Sequence, residues 1–204
     1  MKTFLFQGDS ITDCCRIRED EINLGMGYPV VTAARIGSEY PEKFNFINKG
    51  ISGNRIVDVY ARIKCDIINL KPDYMSILIG INDVWHELGN QNGVSAPKFE
   101  KVYSMLIEEI KEELPEIKIF ILEPFVIPGP ATNDNLEYFQ TETKLRAEAA
   151  ERIAEKYDLT FVPLQKVFDE AMTKAPASRW SYDGVHPTAE GHGLISAELV
   201  KAVL

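Results

Sequence analysis

The chain has 204 residues, 45% of them apolar and 26% charged, and its 31 acidic and 22 basic side chains give a formal net charge of −9. A length of this order suits one domain, residues 1–204, with a core that needs neither disulfides nor a structural metal. The charge repels phosphate backbones and anionic lipid, which excludes nucleic acid and membrane surfaces as partners and leaves a neutral small molecule.

From the N-terminus, Thr3–Gln7 predicts a short apolar strand, too short for the core of a secretory signal. No later stretch approaches the ~20 apolar residues of a membrane span. Cys14, Cys15 and Cys65 have no disulfide-framework spacing and read as reduced thiols, so the expected location is cytoplasmic. A loop from Gly8 to Arg16 follows, opening on Gly8-Asp9-Ser10-Ile11-Thr12. A helix is predicted over Tyr28–Glu39, a strand over Phe44–Asn48, a Gly-containing loop from Lys49 to Asn54 and a helix over Ile56–Asn69. A third strand, Tyr74–Ile79, leads into a loop from Gly80 to Gly93.

The clearest helix follows Ser95-Ala96-Pro97. Phe99, Val102, Tyr103, Leu106, Ile107, Ile110 and Leu114 recur at i, i+3, i+4 and i+7 before Pro115 stops it. Strand Lys118–Leu122, helix Leu136–Tyr157, strand Thr160–Val162 and helix Ala189–Val203 complete the pattern. Strands alternating with helices predict βαβ units, a parallel sheet covered on both faces, and a ligand outside the carboxyl ends of the strands.

Those strand ends hold the polar segments. Ser10 stands just after a glycine that lets the chain turn off its strand; a helix cap or turn serine is the plain alternative. A serine hydroxyl needs a base to become a nucleophile, and the base needs an acid to hold its tautomer. Asp183-Gly184-Val185-His186-Pro187 offers both in one loop, although an isolated Asp-x-x-His is also an ordinary surface turn. Acyl transfer needs donors for an oxyanion. Gly53 has a free backbone N–H and Asn82 a side-chain amide, with turn and cap roles as the alternatives.

In combination, Gly8-Asp9-Ser10, Gly53, Gly80-Ile81-Asn82-Asp83 and Asp183-x-x-His186 resemble the four sequence blocks of the SGNH hydrolases, or GDSL esterases. The likeness runs from Phe4 to Pro187. It implies a three-layer α/β/α sandwich with a five-stranded parallel sheet, flavodoxin-like, and ester or thioester hydrolysis without metal or cofactor. It implies Ser10 as nucleophile, Asp183 and His186 as the rest of a triad, and Ser10 N–H, Gly53 N–H and Asn82 as the oxyanion hole. Residues 8–14, 48–54 and 79–85, with Trp180 before the Asp-His loop, resemble the intracellular xylan acetylesterases, which deacetylate xylo-oligosaccharides. The expected partner is then a small ester, an acetylated sugar, and a homo-oligomer is compatible with this reading.

Asp9, Trp85, His86, Trp180 and Tyr182 flank these blocks as candidate substrate contacts. The two tryptophans suit a sugar-stacking wall and a buried core equally. His192 reads as structural, and Pro128 to Asn135 matches none of the blocks. Four rival readings stand beside this one. A thioesterase or lysophospholipase of the same family shares the triad. An α/β-hydrolase would need a G-x-S-x-G elbow, which Ser10 lacks. A flavodoxin-like module holding flavin or phosphate leaves the Ser, Asp and His unexplained. A metal hydrolase on Asp9, Asp83, Asp183 and His186 has no clustered ligand spacing.

Overall fold

The computed structural model describes residues 1–20 and 22–204. In chain order the strands are β1 Lys2–Gly8, β2 Phe44–Asn48, β3 Tyr74–Leu78, β4 Lys118–Leu122 and β5 Thr160–Val162. The helices are α1 Ser10–Asp13, α2 Tyr28–Glu39, α3 Ile56–Ala61, α4 Ile63–Asp66, α5 Ile81–Asn90, α6 Ala96–Glu113, α7 Leu136–Tyr157, α8 Gln165–Met172 and α9 Ala189–Val203. The sheet order is β2-β1-β3-β4-β5, with every pairing parallel. β1 lies between β2 and β3, so the chain reverses direction across the sheet beside the end of β1. That reversal opens the crevice where ligands of such sheets lie.

Both faces of the sheet are apolar, and the pleat divides them. Leu5, Met75, Ile77, Ile79, Ile119 and Ile121 pack under α3, α6 and α7. Phe4, Phe6, Leu78, Phe120 and Leu122 pack in the other core with Phe168 of α8 and with Ile195 and Leu199 of α9. Fully burying one such side chain contributes roughly 1.5–3 kcal/mol, so the layers hold the strand ends in fixed relative positions.

Four segments differ from expectation. Gly80 to Gly93 is a helix over most of its length, because Ile81 and Val84 bury while Asn82 and Asp83 turn their polarity to inward partners. The single helix expected over Ile56–Asn69 breaks into α3, α4 and a 3-10 turn. Arg62 sits at the first break, and its guanidinium reaches Gln7, Lys49 and Asn54. The short α1 and α8 went unpredicted. In α1, Asp9 caps the first turn through Ile11 N–H at 3.0 Å.

Candidate active site

Gly8 ends β1, Asp9 caps α1, and Ser10 becomes the first residue of that short helix at the carboxyl edge of the sheet. Ser10 Oγ lies 2.9 Å from His186 Nε2. His186 Nδ1 lies 2.7 Å from Asp183 Oδ2. The other carboxylate oxygen accepts the backbone N–H groups of Val185 at 2.9 Å and His186 at 2.7 Å. With Nδ1–H donating to Asp183, Nε2 is left free to accept the serine proton.

The Asp-His loop is braced from two sides. Tyr182 N–H donates to His186 O at 2.9 Å, and the Ser181 hydroxyl donates to the same oxygen. The segment after β4 supplies the other brace, where Ile127 N–H donates to Gly184 O and Ala131 N–H to Asp183 O. A side chain at Gly129 would place its Cβ 2.3 Å from Asp183 O, so only glycine permits this approach. The Pro128 to Asn135 segment therefore stands behind the Asp183 loop.

The charges follow from this geometry. Burial raises the Asp183 pKa, but hydrogen bonds from the His186 ring and from the His186 and Val185 amides outweigh it and hold the group at about 2. The Asp183 hydrogen bond raises His186 above its ordinary value, against the effect of burial. Asp9 is pushed up to about 7 by burial, opposed by the Ile11 hydrogen bond and by His186.

A cavity of about 340 Å³ opens beside Ser10 and His186, walled by Gly53, Asn82, Trp85 and His86. Gly53 has φ +82°, and a Cβ there would meet nothing within 4 Å; glycine is required by the backbone, not by crowding. Asn82 Nδ2 donates to Asn54 O at 3.1 Å, which holds the amide beside the glycine loop. Neighbouring Asp83 accepts Ile56 N–H and stays buried, its pKa raised by that burial.

Five residues were expected to touch substrate, and the structure divides them. Trp85 and His86 wall the cavity, and the Trp85 ring centroid lies 5.9 Å from that of His186. Asp9 is 0% exposed and closed off from the cavity. Trp180 packs on the core, and its Nε1 donates to Ala175 O. Tyr182 is 71% exposed and lies outside the cavity wall. Ser52 walls the cavity and carried no expected role. His192 is buried, accepts Tyr28 N–H at Nδ1, and is held at about 4 by burial and the His186 charge. Among the described residues no three His, Cys, Asp or Glu side chains cluster as a metal site requires.

A hydroxyl, an imidazole and a carboxylate in hydrogen-bonded series at the end of a parallel sheet can pass a proton from serine to histidine, which is the working chemistry of a serine hydrolase. Comparison with known proteins agrees. The model of the GDSL-like Lipase/Acylhydrolase family matches residues 6–194. The acetylxylan esterase of Geobacillus stearothermophilus is 34% identical over 98% of this chain and 92% of its own. The crystal structure of Axe2, an acetylxylan esterase from the same organism, superposes with a TM-score of 0.89 at 31% identity, covering 99% of this chain and 94% of that one. A Parabacteroides merdae structure assigned as a GDSL-like lipase gives 0.94 at 35% identity, covering 98% and 94%. The chain belongs to the GDSL-like lipase/acylhydrolase family, and it is a serine carboxylic-ester hydrolase.

Proposed function

We propose that this enzyme removes acetyl groups from carbohydrates such as xylo-oligosaccharides, through an acyl-enzyme on Ser10. The observation that carries the chemistry is the unbroken series Ser10, His186, Asp183 beside an open cavity. His186 Nε2 takes the Ser10 proton as Oγ attacks the ester carbonyl, and Asp183 stabilises the imidazolium. The carbonyl oxygen becomes an oxyanion facing Ser10 N–H, Gly53 N–H and the Asn82 amide. His186 then protonates the departing sugar oxygen. Water repeats the sequence on the acyl-enzyme and releases acetate.

The substrate class draws support from the acetylxylan esterase relatives and from the cavity. Its wall carries the Trp85 ring and the His86 imidazole, whose pKa is lowered by burial and by the Arg55 charge. A neutral imidazole donates and accepts hydrogen bonds, and an indole face suits the apolar side of a sugar ring. The reading takes residues 1–204 as one catalytic domain. It places the enzyme in the cytoplasm, where the three free cysteines stay reduced. No helix among the described residues is long and apolar enough to cross a membrane.

The test is kcat/KM on peracetylated xylose, acetylated hexoses, an octanoyl aryl ester and an acyl-CoA. Acetylated xylose is expected to lead. A lead for the octanoyl ester or acyl-CoA moves the enzyme to lipolytic or thioesterase work.

A further inference from the structure

Two of the three proposed oxyanion donors come from different loops. Ser10 N–H belongs to the turn after β1, whereas Gly53 N–H belongs to the loop after β2. Both must converge on one oxygen, and a misplacement of 1 Å costs on the order of 10²-fold in rate. Something must hold the two loops in register.

We infer that Asp13 is the positioning residue that ties the Gly53 loop to the Ser10 turn and so sets the oxyanion-hole geometry. The inference rests on the triad and oxyanion reading above. Asp13 is the last residue of α1, one turn beyond Ser10, and is buried. Its Oδ2 accepts Ser52 N–H at 2.9 Å, the Ser52 hydroxyl at 2.9 Å and Arg18 Nη2 at 2.9 Å. Ser52 directly precedes Gly53, so clamping its amide and its side chain fixes Ser52 Cα, the pivot from which the next peptide, carrying the Gly53 N–H, projects. Asp13 itself does not wall the cavity and acts through Ser52.

The surroundings serve the same junction. Arg16 Nε donates to Gly50 O at 2.9 Å and lies 4.0 Å from Asp13 Oδ1. Asn48 Nδ2 donates to Thr12 O at 2.7 Å. A Cβ at Gly50 would stand 2.5 Å from the Asp13 nitrogen, so the two backbones already touch. Burial opposes the Asp13 charge, but the Ser52 amide, Arg18 and the Ser52 hydroxyl outweigh it and keep the carboxyl below its ordinary pKa. A charged acceptor is therefore present throughout the working pH range, and its bonds are of the strong, charge-assisted kind.

The experiment compares Asp13→Asn, Asp13→Glu and Ser52→Ala with the unaltered enzyme on an aryl acetate. It measures kcat, KM, thermal midpoint and the affinity of a boronic acid, whose tetrahedral adduct places an oxygen in the oxyanion hole. Asp13→Asn is expected to lower kcat ~10–100-fold with KM within about threefold, since loss of one well-placed donor costs ~10²–10³-fold. Boronate affinity should fall by the same factor as kcat/KM, and Asp13→Glu should recover part of kcat. Ser52→Ala keeps its N–H and should lose about 3–10-fold in kcat, because only one of the two bonds from Ser52 is gone.

A folded Asp13→Asn with kcat within twofold of the unaltered enzyme overturns the inference. So does a rise in KM at unchanged kcat. If Asp13→Asn does not fold, Ser52→Ala decides alone, and an unchanged kcat there overturns it. Ser10→Ala separates the two levels. An active Ser10→Ala sinks the catalytic reading, whereas an inactive Ser10→Ala beside a fully active Asp13→Asn sinks only the role of Asp13.

Discussion

Asp9 carries a charge problem that a single substitution removes. Its side chain is 0% exposed; Oδ1 accepts Ile11 N–H at 3.0 Å, and Oδ2 has no hydrogen-bond partner among the described residues. Burial pushes its pKa from 3.8 up to about 7, with the Ile11 bond and the His186 charge pulling the other way. The unfolded chain therefore releases this proton near pH 3.8 while the folded one keeps it to about 7. Stability falls as pH rises through that window, because the unfolded state is the one that ionises freely. At 1.36 kcal/mol per unit, the loss approaches about 4 kcal/mol by pH 8. Asp9→Asn retains a carbonyl for Ile11 N–H and has no charge to bury. Its buried amide NH2 finds no partner where Oδ2 stood, a cost independent of pH, so the quantity predicted is the change in the gap: the variant's stability relative to the unaltered protein should rise by about 3–4 kcal/mol from pH 4 to pH 8. Urea unfolding at both pH values reads the difference directly. A stability gap that stays the same from pH 4 to pH 8 refutes the reasoning, because the gap would then have nothing to do with ionisation.

The remaining predictions concern catalysis. Asn82→Ala should lower kcat ~10²–10³-fold with a much smaller change in KM, read by steady-state kinetics on an aryl acetate; a loss confined to KM would make Asn82 a binding residue instead. Catalysis needs neutral His186, and its hydrogen bond to Asp183 raises its pKa above 6.5, so the acid limb of kcat/KM should lie above that value. Asp9 also raises the His186 pKa, so Asp9→Asn should move the acid limb toward lower pH, and a limb that stays in place would show the two groups to be uncoupled.

Much of the fold was legible because its signals are local. Apolar runs at Phe44–Asn48, Lys118–Leu122 and Thr160–Val162 coincide with β2, β4 and β5. The i, i+3, i+4 pattern from Phe99 to Ile110 coincides with the buried face of α6. The break at Arg62 was not legible, because its guanidinium is drawn back to the loop after β2 and across to Gln7 of β1, 55 residues away, and side-chain contacts of this kind leave no periodic signal. α5 hid behind Asn82 and Asp83, which look like turn residues until Asn54 O and Ile56 N–H are brought to them. At the site, Ser10, His186 and Asp183 were named from sequence blocks and lie in hydrogen-bonding series. Asp9, Trp180 and Tyr182 were grouped with the substrate for being near the blocks along the chain, but neighbours on a strand end or turn point in different directions. Asp13 and Ser52 stand inside the quoted blocks. Their pairing joins the turn after β1 to the loop after β2, and the sequence carries no mark of it.

The most direct test of the account is covalent. The enzyme is treated with a serine-directed fluorophosphonate, digested, and the modified peptide sequenced by mass spectrometry. The account predicts one adduct, on Ser10, formed in step with the loss of esterase activity and absent from Ser10→Ala. An adduct on Ser52, or full inactivation with Ser10 unmodified, would contradict it.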